Sequence, residues 1–115
     1  TNQAGIAKNK FSLQKYLNFS RDIKRFFIKK NIIIDDVEFC PYHKDAIIKR
    51  YKKQSHLRKP NNGMIENIFK NWLLLRSKSF FIGDQVTDFN AAKKSNLNFK
   101  YFDKSFFTTL KKLVI

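Results

Sequence analysis

The amino-acid sequence predicts an α/β layered fold with a parallel sheet. Two observations predict it. Helix-period and strand-like segments alternate along the chain, in the order helix, strand, loop, helix, strand, helix, strand, helix. Three polar motifs also fall beside strand ends and helix starts, and open parallel sheets gather ligands beyond the carboxyl ends of their strands. The 115 residues fit one domain, 1–115, with no internal repeat and no second domain.

Ser12 reads as an N-cap before a helix running to about Lys30. Leu13, Tyr16, Leu17, Ile23, Phe26 and Phe27 recur at helical spacing and predict an apolar stripe for the core. Asn31 marks the helix end. Ile32 to Cys40 is rich in β-branched and aromatic residues and predicts a strand, with a bend at Asp35-Asp36. Pro41 to Pro60 is a long polar, basic stretch without a period, of the kind that is functional or disordered. Pro60-Asn61-Asn62-Gly63 makes a turn into a helix with Met64, Ile65, Ile68, Phe69 and Trp72 on its apolar face. Ser79 to Ile82 predicts a short buried strand ending at Gly83. Thr87 is expected to cap a helix carrying Phe89, Ala91 and Ala92. Leu97 to Phe102 reads as another strand. Ser105 to Ile115 reads as a last helix, packing through Phe106, Leu110 and Leu113.

Composition narrows the function classes. Hydrophobic residues make up 43%, including thirteen Phe, which is enough for a core, and no apolar run reaches membrane-spanning length. Residues Thr1 to Lys10 lack the basic and apolar regions of a signal peptide. A single Cys excludes an internal disulfide and suits a reducing compartment, so a cytoplasmic location is expected. The formal charge of +15 allows attraction to polyanions. The lysines are scattered rather than gathered in a stripe, however. The charge therefore reads as solvated faces in a chain rich in Lys, Asn, Ile and Phe. The only Met is Met64, and the first residue falls directly into a motif, so the sequence reads as a fragment or a processed product.

Three motifs carry chemistry. Thr1-Asn2-Gln3-Ala4-Gly5-Ile6-Ala7 sets a hydroxyl and two carboxamides beside exposed backbone, neutral donors that suit a phosphate oxygen. Arg58-Lys59-Pro60-Asn61-Asn62-Gly63-Met64 places two cations just before a helix. Lys supplies a point charge for a transferring phosphoryl group, and Arg a fork for a second oxyanion. Phe80-Phe81-Ile82-Gly83-Asp84-Gln85-Val86-Thr87-Asp88 delivers a carboxylate at a strand end, with another four residues on. Mg²⁺ takes oxygen ligands of this kind. Taken alone, the first motif reads as a polar turn, and the second and third also read as a basic loop and a capped helix start. Their order, hydroxyl then basic then acidic, is that of a Mg²⁺-dependent phosphoryl-transfer site.

In this combination, with CPYH between the first and second motifs, the sequence resembles the haloacid dehalogenase superfamily. Within it, the chain is similar to the D-glycero-D-manno-heptose 1,7-bisphosphate 7-phosphatase and histidinol-phosphatase family, from Thr1 to about Phe102. The resemblance implies a Rossmann-like three-layer α/β/α fold with a parallel sheet, incomplete at its N-terminus. It implies that Thr1 and Lys59 stabilise the phosphoryl group, and that Asn2, Gln3, Ala4 and Arg58 contact substrate. Asp84 would bind Mg²⁺, with Asp88 supporting its loop. Gln85 stands where heptose phosphatases often have a substrate-contacting Lys.

Two departures follow from the same resemblance. The family's Asp-x-Asp motif, which supplies the nucleophile and the general acid-base, lies upstream of TNQ in relatives and has no counterpart in this sequence. The chain alone is therefore expected to be inactive. Many relatives also hold structural zinc through Cys-x-His and Cys-x-Cys. Here Cys40 matches the first ligand, while Tyr42, Ser55 and Leu57 replace the others. His43 and His56 lie nearby at the wrong spacing, so no zinc is expected and Mg²⁺ is the implied cofactor. The implied activity is hydrolysis of a small sugar phosphate, foremost a heptose bisphosphate of carbohydrate or lipopolysaccharide biosynthesis, by a protein that is monomeric when complete. Histidinol-phosphate hydrolysis, a nucleic acid 3′-phosphatase and a phosphate-binding remnant without catalysis are the alternatives. No membrane or nucleic acid partner is expected.

Overall fold

The structure, a computed structural model, describes residues 1–102. The helix expected over Ser105–Ile115 lies outside the described residues. The chain divides into two compact units, Thr1–Arg58 and Lys59–Ile115, each considered by itself.

In the first unit, helix α1 (Ala4–Ala7) buries Ile6 and Ala7 completely. Gly5 lies against the Phe11 ring, and a Cβ there would come within 2.4 Å of it. Helix α2 (Leu13–Ile28) begins at Ser12, whose Oγ accepts from the Lys15 N–H at 3.1 Å, as the sequence predicts. Three residues past its end, Asn31 adopts the left-handed backbone (φ 59°) that Asn tolerates. The predicted stripe is only partly realised. Tyr16 is buried, but Leu17 and Phe26 are 41% and 55% exposed. The core instead gathers Ile6, Ala7, Tyr16, Ala46 and Tyr51, flanked by Phe11, Leu13, Phe39, Tyr42 and Ile48.

The strand expected over Ile32–Cys40 does not form. Among the described residues only Cys40 of this segment forms a bridge, parallel to Asn2: the Gln3 N–H donates to Cys40 O and the Cys40 N–H to Thr1 O, both at 2.9 Å. Composition favours an extended backbone there, but a strand also needs a neighbouring backbone along its length. Among the described residues, Thr1–Gln3 supplies one at Cys40. Pro41 to Pro60, read as an aperiodic loop, is folded through residue 58. The Ile47 and Ile48 N–H groups donate to Ala7 O at 2.9 and 3.1 Å, and a 3₁₀ turn at Lys49–Tyr51 buries Tyr51.

In the second unit, helix α3 (Gly63–Asn71) buries Gly63, Met64 and Ile65, while Trp72 is its exposed C-cap. Strand β1 (Phe80–Gly83), helix α4 (Val86–Lys94) and strand β2 (Asn98–Tyr101) make a β-α-β unit. β1 and β2 pair in parallel, Phe80 opposite Asn98 through Gly83 opposite Tyr101. The strand predicted as buried is only half so, with Phe80 exposed. Rings secure the packing of α4 on the strands: Phe89 meets Phe99 at 5.6 Å and Tyr101 at 6.3 Å, and Phe81 stacks on Phe99 at 5.9 Å. An Arg76–Glu66 fork joins the segment before β1 to α3. Arg76 donates to both Glu66 oxygens, at 3.0 and 2.6 Å, and to Ser95 O at 2.9 Å. Arg76 thereby holds the Glu66 carboxyl below the usual carboxylate range.

Candidate active site

In the second unit the acidic and basic motifs converge on Asp88. β1 ends at Gly83, and the chain turns through Asp84 and Gln85 into α4, whose N-cap is Gln85 rather than the expected Thr87. The cap moves upstream because Asp88, in the first turn, satisfies the open amides. Its Oδ2 accepts the Asp84 N–H at 3.2 Å and the Gln85 N–H at 3.1 Å. Its Oδ1 accepts from Lys59 Nζ. The Asp88 side chain is 5% exposed and that of Lys59 18%. Burial alone would push the Asp88 carboxyl up. The ammonium of Lys59 and the two backbone amides outweigh it and hold the pKa below the ordinary range.

This depression has a pH consequence. A carboxylate whose folded pKa lies below its unfolded value contributes stability that is present above the unfolded value, about 3.9, and lost as pH falls through the folded one. The urea midpoint of the wild type is therefore expected to exceed that of Asp88→Asn at pH 7. The two should converge as the pH drops below about 4. A gap that persists at pH 2 would contradict the assignment.

Gly83 makes the arrangement sterically feasible. A Cβ there would sit 2.4 Å from Asp88 Cβ and 2.6 Å from Oδ2, distances no side chain tolerates. The need is for close approach, since Gly83 has no positive φ. Gly83→Ala is expected to displace Asp88 and destabilise the protein by about 1–3 kcal/mol, read by denaturant titration. An unchanged midpoint would show that the carboxylate has room to move.

Asp84 and Gln85 are exposed at the carboxyl end of β1. Among the described residues the Asp84 carboxylate has no hydrogen-bond or ion-pair partner, whereas both Asp88 oxygens are committed. The pair is thus divided in role, one acid open to a ligand and one building the turn. No group of three His, Cys, Asp or Glu that could hold a metal occurs among the described residues. The set nevertheless fits Mg²⁺, which needs only one or two carboxylates from a protein and keeps waters and substrate oxygens as its other ligands.

In the first unit Thr1, Asn2, Gln3 and Ala4 lie together. Gln3 Nε2 donates to Thr1 Oγ1 at 3.1 Å, and the segment is fixed by its pairing with Cys40. Arg58 is half-buried, and its Nη1 is fully buried without a hydrogen-bond partner among the described residues. A buried guanidinium donor in this condition is suited to an oxyanion. Cys40 is buried, its Sγ 3.8 Å from Tyr42 O, while His43 Nδ1 accepts the Asp45 N–H at 3.1 Å and His56 is exposed. Burial, then the charges of Arg58 and Lys8, lower the His43 pKa. The roles of Gly83 and of the Arg76–Glu66 fork are not marked in the sequence. A Gly before an acid was the only available signal for the first, and the second depends on residues ten apart meeting through a turn.

Comparison with known proteins identifies the family. Residues 43–101, just over half of the chain, match the family described as haloacid dehalogenase-like hydrolase. The chain is 35% identical over 97 residues to the D-glycero-beta-D-manno-heptose-1,7-bisphosphate 7-phosphatase of Rhodopseudomonas palustris, covering 84% of the chain and 54% of the relative. It is 36% identical over 97 residues to the D-glycero-alpha-D-manno-heptose-1,7-bisphosphate 7-phosphatase of Burkholderia mallei, covering 84% and 51%. The chain thus spans about half the length of the curated relatives it matches. A crystal structure of a protein assigned as a HAD-like phosphatase from Mesorhizobium loti superposes with a TM-score of 0.78 at 28% identity, over 84% of this chain and 46% of that one. The parallel β1–β2 pair with its connecting helix is part of that Rossmann-like α/β fold. The chain belongs to the haloacid dehalogenase-like hydrolase family.

Proposed function

We propose that this chain is the phosphate-holding portion of a single haloacid-dehalogenase-like domain that hydrolyses a sugar phosphate, a D-glycero-D-manno-heptose 1,7-bisphosphate. The observation that carries the reading is the joint anchoring of Lys59 and the Asp84 turn by the buried Asp88 carboxylate. One carboxylate fixes both the cation for the phosphoryl group and the loop bearing the open acid. Asp84 would hold Mg²⁺, which would neutralise charge on the transferring group when bound. Lys59 supplies a fixed ammonium. Thr1 offers its hydroxyl to a phosphoryl oxygen, Asn2, Gln3, Ala4 and Gln85 each contact substrate, and Arg58, whose Nη1 has no hydrogen-bond partner among the described residues, binds a substrate oxyanion. The attacking carboxylate comes from an Asp-x-Asp segment that this sequence does not contain, and it forms an aspartyl phosphate. The 115 residues alone are then inactive. The likeness to the two heptose bisphosphate phosphatases supports the substrate, and a cytoplasmic role in envelope carbohydrate synthesis is part of the same proposal. No helix among the described residues is long and apolar enough to cross a membrane.

The test is phosphate release by a protein joining this chain to an Asp-x-Asp segment. Mg²⁺-dependent cleavage of heptose 1,7-bisphosphate, well above that of histidinol phosphate and 3′-phosphorylated DNA, is expected. Preference for either comparison substrate would replace the reading. No release from any of the three, with the protein folded, would leave a phosphate-binding protein without catalysis.

A further inference from the structure

The first unit contains a cavity of about 330 Å³ that none of the chemistry above uses fully. It is lined by Gln3, Lys10, Phe11, Lys15, Tyr16 and Phe19. A few close contacts build its walls. Phe11 is wedged against Gly5, which lacks the Cβ that would push it away. Ser12 caps α2, fixing Lys15, Tyr16 and Phe19 on the first turns of that helix. Tyr16 is buried beside Phe39, with ring centroids 4.7 Å apart, so its ring is held in place. Phe19, in contrast, is 60% exposed. The volume is that of a small-molecule site.

The lining selects a ligand class. Three aromatic rings offer flat apolar surface, and two exposed lysines offer positive charge. Apart from these ammoniums, the Gln3 carboxamide and the Tyr16 hydroxyl are the polar side-chain groups of the lining, and the hydroxyl interacts with Ser20. A polyhydroxylated sugar would bury more donors and acceptors than such a wall can satisfy. We propose that this cavity binds a small organic anion with an aromatic body, its ring against Phe11, Tyr16 and Phe19 and its charge at Lys10 and Lys15. The site is separate in chemistry from the proposed sugar-phosphate contacts, although Gln3 is named in both.

Calorimetric titration of the full chain with naphthalene-1-sulfonate tests this. Saturable binding is expected, with inorganic sulfate (charge without ring) and 1-naphthol (ring without charge) both much weaker. Lys10→Glu with Lys15→Glu should weaken binding about tenfold or more, and Phe19→Ala should weaken it comparably. These side chains are exposed, so circular dichroism should report unchanged folding. Sulfate binding as well as the aryl sulfonate would reduce the effect to general attraction by a +15 chain and overturn the proposal. Undiminished binding in both variants would also overturn it, by moving the ligand elsewhere.

Discussion

Lys59→Ala is expected to lower turnover of the complete protein by about 10²–10³-fold and to destabilise it at the same time. The loss of rate follows from removing a fixed ammonium from a developing phosphoryl charge, where one such donor is worth two to three powers of ten. The loss of stability has a different origin. Asp88 is buried, and without Lys59 its carboxylate keeps only the Asp84 and Gln85 amides. An uncompensated buried charge of this kind costs about 2–4 kcal/mol. The two effects separate in a double variant. Lys59→Ala with Asp88→Ala should recover part of the stability lost by Lys59→Ala alone, since the stranded charge is gone, and should recover none of the rate. Denaturant midpoints and phosphate release measure the two arms. Recovered rate in the double variant would mean that Lys59 serves the fold and not the phosphoryl group.

Asp84→Asn is expected to act on the other side, with rate falling about 10²-fold or more and stability hardly moving. The Asp84 carboxylate is exposed, and its bond to Asp88 runs through the backbone N–H, which Asn retains. A surface change of this kind alters stability within about 0.5 kcal/mol. Weaker Mg²⁺ dependence of the residual activity should accompany the loss. A variant with full activity at low Mg²⁺ would remove Asp84 from the metal site. Together the two variants distinguish the acid with an exposed carboxylate from the acid bonded to the protein, a division the Asp-x-x-x-Asp spacing does not reveal.

The corrections to the sequence reading share one cause. Ile32 to Cys40 has strand composition but pairs only at Cys40, because a strand depends on a neighbouring backbone that local composition cannot specify. Leu17 and Phe26 keep helical period with Tyr16 yet remain exposed, because period gives a face and not what covers it. Thr87 yields the cap to Gln85 because Asp88 reaches back to the amides of Asp84 and Gln85, a contact made by a side chain inside the helix. Pro41 to Pro60 reads as an aperiodic loop because its few buried hydrophobic residues, Ala46 and Tyr51, follow no period.

What the sequence determined by itself was local and periodic. The Ser12 cap, the helix end near Asn31, the helix after Pro60 and the parallel β-α-β order with an acid after its first strand were all legible, because each is set by residues within a few positions of one another. The likeness to haloacid dehalogenase-like hydrolases was legible in the order of its motifs. Tertiary structure alone decided that Asp88 binds Lys59 across 29 positions, that Gly83 must lack a Cβ, and that Arg76 forks onto Glu66. Those depend on which side chains meet once the backbone has turned, and charge, size and spacing along a line do not fix that meeting.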